Sequence, residues 1–216
     1  IGLADVNPEA TRWAEAEAAR LLAGEADEDA IRALIALSNE QGIAPREVAR
    51  RLVQDDLIGL LPRQVEAVER LRQRLLAEGM AEADVTRRAA RYASAQLRHR
   101  AWAIARTELV SAVNAGQDAL WDLARQRGIL PAGTLRVWLV TYDDRLDQQV
   151  CAPLEDATAG LGEPFEPGGY LRPPAHTNCR CAIGLKSVPV RAVPAARRFR
   201  VERDAGGRLA GMTETD

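Results

Sequence analysis

The sequence predicts an α+β fold that is predominantly α-helical: long helices come first, followed by a small α+β module stapled around cysteine and histidine. Three observations carry this. Helical periodicity with matching start and stop signals fills most of the first 127 positions. After Gly128 the pattern changes to a β-branched and aromatic run, "TLRVWLVTY", and then to sequence rich in Gly and Pro. All three cysteines, with one of the two histidines, fall within the 31 residues from Cys151 to Cys181.

Composition sets the outer limits. With 47% hydrophobic and 28% charged residues, the 216-residue chain has ordinary globular usage and is not wholly disordered. Aromatics are only 4%, so the cores are expected from Ala, Leu, Val and Ile. A net charge of -2 gives no general reason to expect a nucleic-acid partner. No apolar run approaches the roughly 18 residues that cross a bilayer, so no membrane is expected. There is no basic start followed by an apolar stretch, so no signal peptide is expected either. An odd cysteine count cannot close a complete disulfide framework, and a reducing, cytoplasmic origin is the simpler expectation. The chain begins at Ile1, which reads as a fragment or a processed product.

Residues 1–80 form a helical region in this reading. "NPEATRWAEAEAARLLAG" has Asn7 as N-cap, Pro8 at the first helical position and Gly24 as the stop. "DEDAIRALIALSNEQG" opens on acids, carries Ile31, Leu34 and Ile35 as an apolar stripe, and ends at Gly42. Two further helices begin at Pro45 and Pro62, the second with Val65, Val68, Leu71 and Leu75 at helical spacing. From 81 to 127 the pattern stays helical with only Gly116 inside, which predicts one very long helix or two joined near His99. Trp102, Ala105, Leu109, Val113, Gly116, Leu120 and Leu123 are the expected core face. A strand and a Cys/His loop occupy 134–187. A basic tail, 188–216, follows, with a candidate β-hairpin in "RRFRVERDAGGRLAGM".

Cys151, His176, Cys179 and Cys181 offer thiolate and imidazole, the ligands Zn²⁺ prefers, and four of them close a tetrahedral structural site. The spacing His-x2-Cys-x-Cys can place three ligands around one ion from a single loop, with Pro173 and Pro174 stiffening its approach. Cys151 would close the site from across 24 intervening residues, pinning a segment with little core of its own. Free thiols, or a disulfide between two of the three, are the competing readings. His99 lies in the basic context "QLRHRAW" and reads as a solvated surface residue.

Three pieces stand in order: "IARTELVSAVNAG" (104–116), "VWLVTYDDRLDQQVCAPLEDATAG" (137–160) and "PPAHTNCRCAIGL" (173–185). Together they resemble the phage Mu F-like minor head proteins, also called head morphogenesis proteins, over roughly 66–185. The resemblance implies a head-morphogenesis domain over 81–187. It implies a structural role and not an enzyme: a minor capsid component of a phage or prophage that binds portal or inner capsid proteins during procapsid assembly. It further implies residence in the phage head, with host cytoplasm as the assembly site. One departure stands out. Family members commonly carry Cys-x2-Cys in the middle piece, whereas here Leu154 follows Cys151 at that spacing. A family-type site then has Cys151, His176, Cys179 and Cys181 and none to spare. Asp144 or a water could otherwise complete it, or apolar packing around Leu154 could replace the metal.

Other candidates for chemistry are weaker. Arg106, Thr107 and Glu108 echo a polar triplet of some ADP-ribosyltransferases, but consecutive helical positions splay about 100° apart and cannot converge on one ligand. Glu108 is expected to be partly buried, and Thr107, Ser111, Asn114 and Asp118 form a polar row read as helix-packing and partner-contact positions. Asp143, Asp144 and Asp147 suggest a phage-carried nuclease or effector enzyme, yet acids after a strand are usually a solvated turn. Arg191, Arg197, Arg198, Arg200 and Arg203 form a basic tract that reads first as a solvated strand edge, and otherwise as a contact with packaged DNA or with an acidic face of a portal; a zinc-stabilised DNA-binding module is a separate rival reading.

Overall fold

The computed structural model of the chain describes residues 28–131 and 133–186 in full, and the backbone alone of 198–203 and 209–215. The helix expected over 8–23, together with Arg191, Arg197 and the turn at 204–208, lies outside the described residues. The chain divides into two units, 1–186 and 187–216.

Among the described residues of the first unit, four helices follow one another: α1 (Glu28–Glu40), α2 (Pro45–Gln54), α3 (Pro62–Ala77) and α4 (Glu82–Gln126). Their ends follow from local chemistry. Acids at Glu28 and Asp29 open α1, and Gly42 just beyond it takes the left-handed conformation at φ 64°. Pro45 and Pro62 each sit in the first turn, where a missing N–H costs nothing. The Leu61 N–H at the entry of α3 is satisfied by the Gln64 side chain at 2.9 Å. Helix α4 runs unbroken through His99 for 45 residues, about 68 Å, and stops where Gly128 adopts φ 69°.

The first core gathers Ile31, Ile35, Val48, Leu52 and Ile58 against Ala101, Ile104, Ala105 and Ala112 of α4. Each fully buried aliphatic side chain contributes about 1.5–3 kcal/mol. The alanines let the neighbouring helices come close. The expected stripe on α4 is only partly right. Ala105, Leu109 and Gly116 are buried and Trp102 packs at the edge of the core, but Val113 and Leu120 are 46% and 36% exposed. The reason is that α4 is covered on two sides. Thr107, Asn114 and Asp118, read from sequence as a partner-contact row, are buried beneath the C-terminal module.

That module is a three-stranded antiparallel sheet in the order β2–β1–β3, with β1 at Leu135–Leu139, β2 at Thr158–Gly160 and β3 at Ala182–Lys186. Leu135 faces Gly160 on one side, and Trp138 faces Ile183 on the other. Strand β1 is shorter than the expected 134–142. Beyond it, Thr141 turns to hydrogen-bond the Arg180 carbonyl at 2.8 Å. A second core joins Trp138, Leu154, Ala159, Phe165 and Ile183 to all three cysteines. Trp138 and Phe165 meet edge to face at 5.3 Å. Gly168, at φ 109°, packs its α-carbon against the Tyr170 ring, where a β-carbon would collide. In the terminal unit, β4 (Arg198–Arg203) and β5 (Leu209–Thr215) pair antiparallel with an irregularity at Glu202 and Arg203, so the expected hairpin is present.

Candidate metal centre

The Cys151 arm is shaped by Asp147. Its carboxylate accepts the N–H groups of Gln149 and Val150, each at 2.9 Å, and its carbonyl accepts those of Cys151 and Ala152 at 3.0 and 2.9 Å. The Val150 and Gln149 N–H groups hold the Asp147 carboxyl below its ordinary range. Cys151 then leads into a 3₁₀ turn at Ala152–Leu154. The second arm descends from the Pro173–Pro174 pair. Cys179 N–H closes a turn onto the His176 carbonyl at 3.1 Å, and Asn178 between them takes the left-handed conformation at φ 64°. The backbone N–H of Asn178 is held by the Thr107 hydroxyl of α4 at 3.0 Å, which docks this arm on the long helix.

The two arms meet. His176 Nε2 lies 3.0 Å from Cys151 Sγ, and Cys151 Sγ lies 3.8 Å from Cys179 Sγ. All three ligand atoms are within 4.8 Å of one another, the sole such grouping of three or more among the described residues. His176 Nδ1 faces the Thr177 carbonyl at 2.8 Å, which places its proton there and leaves the Nε2 lone pair directed at the sulfurs. In a tetrahedral site with metal–sulfur bonds of about 2.3 Å, two sulfurs stand about 3.8 Å apart. The Cys151–Cys179 separation already matches that edge. Cys181 is buried in the same cluster, 4% exposed. It is not within the three-atom group itself.

The electrostatics of the sulfurs point the same way. The Cys181 thiol, above all, pulls Cys179 down to about 5. Burial, and then the charge on Cys179, push Cys151 up to about 11. Donation to Cys179, with burial, pushes Cys181 up as well. The protein by itself thus stabilises one thiolate among three sulfurs. The donor set of soft sulfur plus one imidazole is one that a divalent metal prefers. None of the three cysteines is in a disulfide, so that alternative is not realised. Leu154, three residues after Cys151, is fully buried among the same side chains. Apolar packing and potential sulfur donors therefore lie side by side there.

The other sequence candidates do not form a site. Asp143 accepts a hydrogen bond from the Arg180 guanidinium and another from Arg145 N–H at 2.9 Å. The Asp144 side chain is 87% exposed and lies 4.0 Å from Arg145, so it does not complete the cluster. Thr107 and Glu108 are buried on α4, whereas Arg106 lies 5.9 Å above the Trp102 ring, splayed as expected. His99 is exposed.

A second cluster was not anticipated. Arg136, on the same face of β1 as Trp138, is fully buried, and its Nη1 donates to both Asp118 oxygens at 2.9 and 3.0 Å. Burial pushes the Asp118 carboxyl up, opposed by Arg136 and by Arg172 at 3.3 Å. This network ties the sheet and the 160–172 loop to α4 beside the Cys/His arms. No family model, curated protein or solved structure matches the chain.

Proposed function

We propose that the chain is a structural component of a phage head, a minor capsid or head-morphogenesis protein, and that Cys151, His176, Cys179 and Cys181 hold a structural Zn²⁺. The observation that carries this reading is the convergence of Cys151, His176 and Cys179 across 24 intervening residues, with Cys181 against Cys179. Four side chains of this kind saturate a tetrahedral ion and leave no open position for a substrate, which is the signature of a staple. Ions of this sort supply folding energy to irregular segments. The staple fixes the C-terminal module on α4, and the joined surface of helix and module would then meet portal or capsid proteins. A nuclease reading lacks support, because Asp143 and Asp147 serve turns and an arginine, and Asp144 points to solvent.

Two measurements test the proposal. Protein prepared without chelator should contain about one zinc per chain by elemental analysis, and Cys179→Ala should lose it. Less than about a tenth of an equivalent in freshly prepared wild-type protein rules out the staple. The chain should also co-purify with portal protein or procapsids from the phage that encodes it. Its absence from purified heads and procapsids overturns the assembly role.

A further inference from the structure

Residues 85–107 of α4 contain no Asp or Glu, in a chain with 31 acidic residues. The same stretch holds six arginines, at 87, 88, 91, 98, 100 and 106. Only one of them is absorbed by the fold: Arg100 is buried and donates to the Gly59 carbonyl. Arg87 pairs with Asp84. Arg88, Arg91 and Arg98 are exposed, and none has an ion-pair partner among the described residues.

These side chains form a surface and not a scatter. Arg87, Arg91 and Arg98 line one shallow concavity along α4. Arg98 also lines a second, of about 700 Å³, with Arg46 and Arg50 of α2 and the half-buried ring of Trp102. The shared Arg98 makes the two continuous. Five guanidiniums line it with one carboxylate, Glu47, which is already paired within its own helix; Asp84, paired with Arg87, and Asp55, which acts on Arg50, lie outside the lining. Beyond Trp102 the positive character continues. Arg106 packs over that ring, and burial followed by the like charges of Arg180 and Arg145 pushes its guanidinium down.

We propose that this arginine surface of α2 and α4 binds the phosphate backbone of duplex DNA. Arg87 to Arg98 spans about 17 Å of straight helix, a rigid line of charge suited to a regularly charged rod. Guanidinium forks match phosphate oxygens two at a time. One half-buried tryptophan cannot stack successive bases, which argues against a single strand. The surface is distinct from the terminal basic tract, and it does not depend on the Cys/His centre.

Fluorescence anisotropy with the full chain tests this, using a labelled duplex DNA of about 24 base pairs, a duplex RNA of the same sequence, and the single strand. Binding to a duplex should weaken with salt at a log–log slope of about -3 to -4, from about four phosphates contacted. Arg91→Ala with Arg98→Ala should bind at least ~10-fold more weakly at about 50 mM salt and lower the slope by about 2. Arg125→Ala, at the far end of α4, should bind like wild type. Arg91→Gln with Arg98→Gln repeats the test with longer stems retained, and both pairs are checked for unchanged thermal stability. Duplex DNA should bind more tightly than duplex RNA, and the reverse order overturns the proposal. Absent salt-dependent binding, a pair variant equal to wild type, or preference for the single strand each overturns the proposal. So does equal competition by polyglutamate at matched charge, which would assign the surface to an acidic protein.

Discussion

Five donors leave the Arg136 guanidinium, and the fold meets them with four acceptors: the Asp118 carboxylate and the carbonyls of Gly160, Glu163 and Leu171. The guanidinium also lies over the Phe165 ring at 4.8 Å. One side chain therefore connects β1, the irregular 160–171 loop and α4. A buried ion pair adds little compared with apolar packing, but removing one partner strands the other charge. Arg136→Met is expected to cost about 3–5 kcal/mol and lower the thermal midpoint by about 10 °C. Adding Asp118→Leu should restore most of that loss, and circular-dichroism melts of the single and double variants read the coupling directly. A double variant no more stable than Arg136→Met alone would mean that Asp118 is not the partner that matters. Arg136 was not legible beforehand. It is one of 28 arginines (29 basic residues less Lys186), and its strand neighbours Leu135 and Val137 give no sign of an acid on a helix 18 positions earlier. The cysteines and His176 were legible because those residue types are scarce and clustered.

At the scale of elements, helix α4 explains why periodicity was informative and yet incomplete. Start and stop chemistry placed its ends within a residue, since acids at Glu82 and Asp84 and the glycine at 128 act locally. Its buried faces depend on what packs there. A helix covered on one side shows a single apolar stripe, whereas α4 uses alanines against α1–α3 and polar side chains against the sheet. Polar residues on a helix look solvent-facing in sequence. Here Thr107 and Asn114 accept backbone N–H groups of the module, from Asn178 and Ile183, each at 3.0 Å. Strand β3 is an edge strand, so Asn114 supplies an acceptor that no neighbouring strand provides. Asn114→Ala should leave the Ile183 N–H buried and unpaired, at a cost of about 1–3 kcal/mol. The measurement is amide exchange: Ile183 should lose protection by about 10-fold or more, while Leu52 in the first core should be unchanged. Equal loss at both sites would mean global destabilisation and not a broken dock.

For the whole molecule, the two cores differ in how they are built. The first is aliphatic and is drawn from α1, α2, α4 and the Ile58 loop. The second has eight buried members, three of which are cysteines, and it covers a sheet whose strands are five, three and five residues long. Sheets this small need a further constraint, because the apolar area they bury barely offsets the ordering of their loops. The Arg136 network supplies one constraint, and a metal held by the Cys/His cluster would supply the other. This asymmetry also accounts for what the sequence could announce: the helical half is written in repeating local signals, whereas the module is specified by a few long-range meetings between residues 118 and 136, 151 and 176, and 107 and 178. Removing metal should therefore act on one half of the first unit. In hydrogen-exchange mass spectrometry with excess chelator, peptides from 134–186 should exchange at least about 10-fold faster, whereas α2 and residues 97–112 of α4 should keep their protection. Zinc returned in slight excess should restore the slow exchange. If 134–186 stays protected without metal, the Arg136 network and the buried Leu154 hold the module unaided. The three sulfurs would then be core side chains and not ligands.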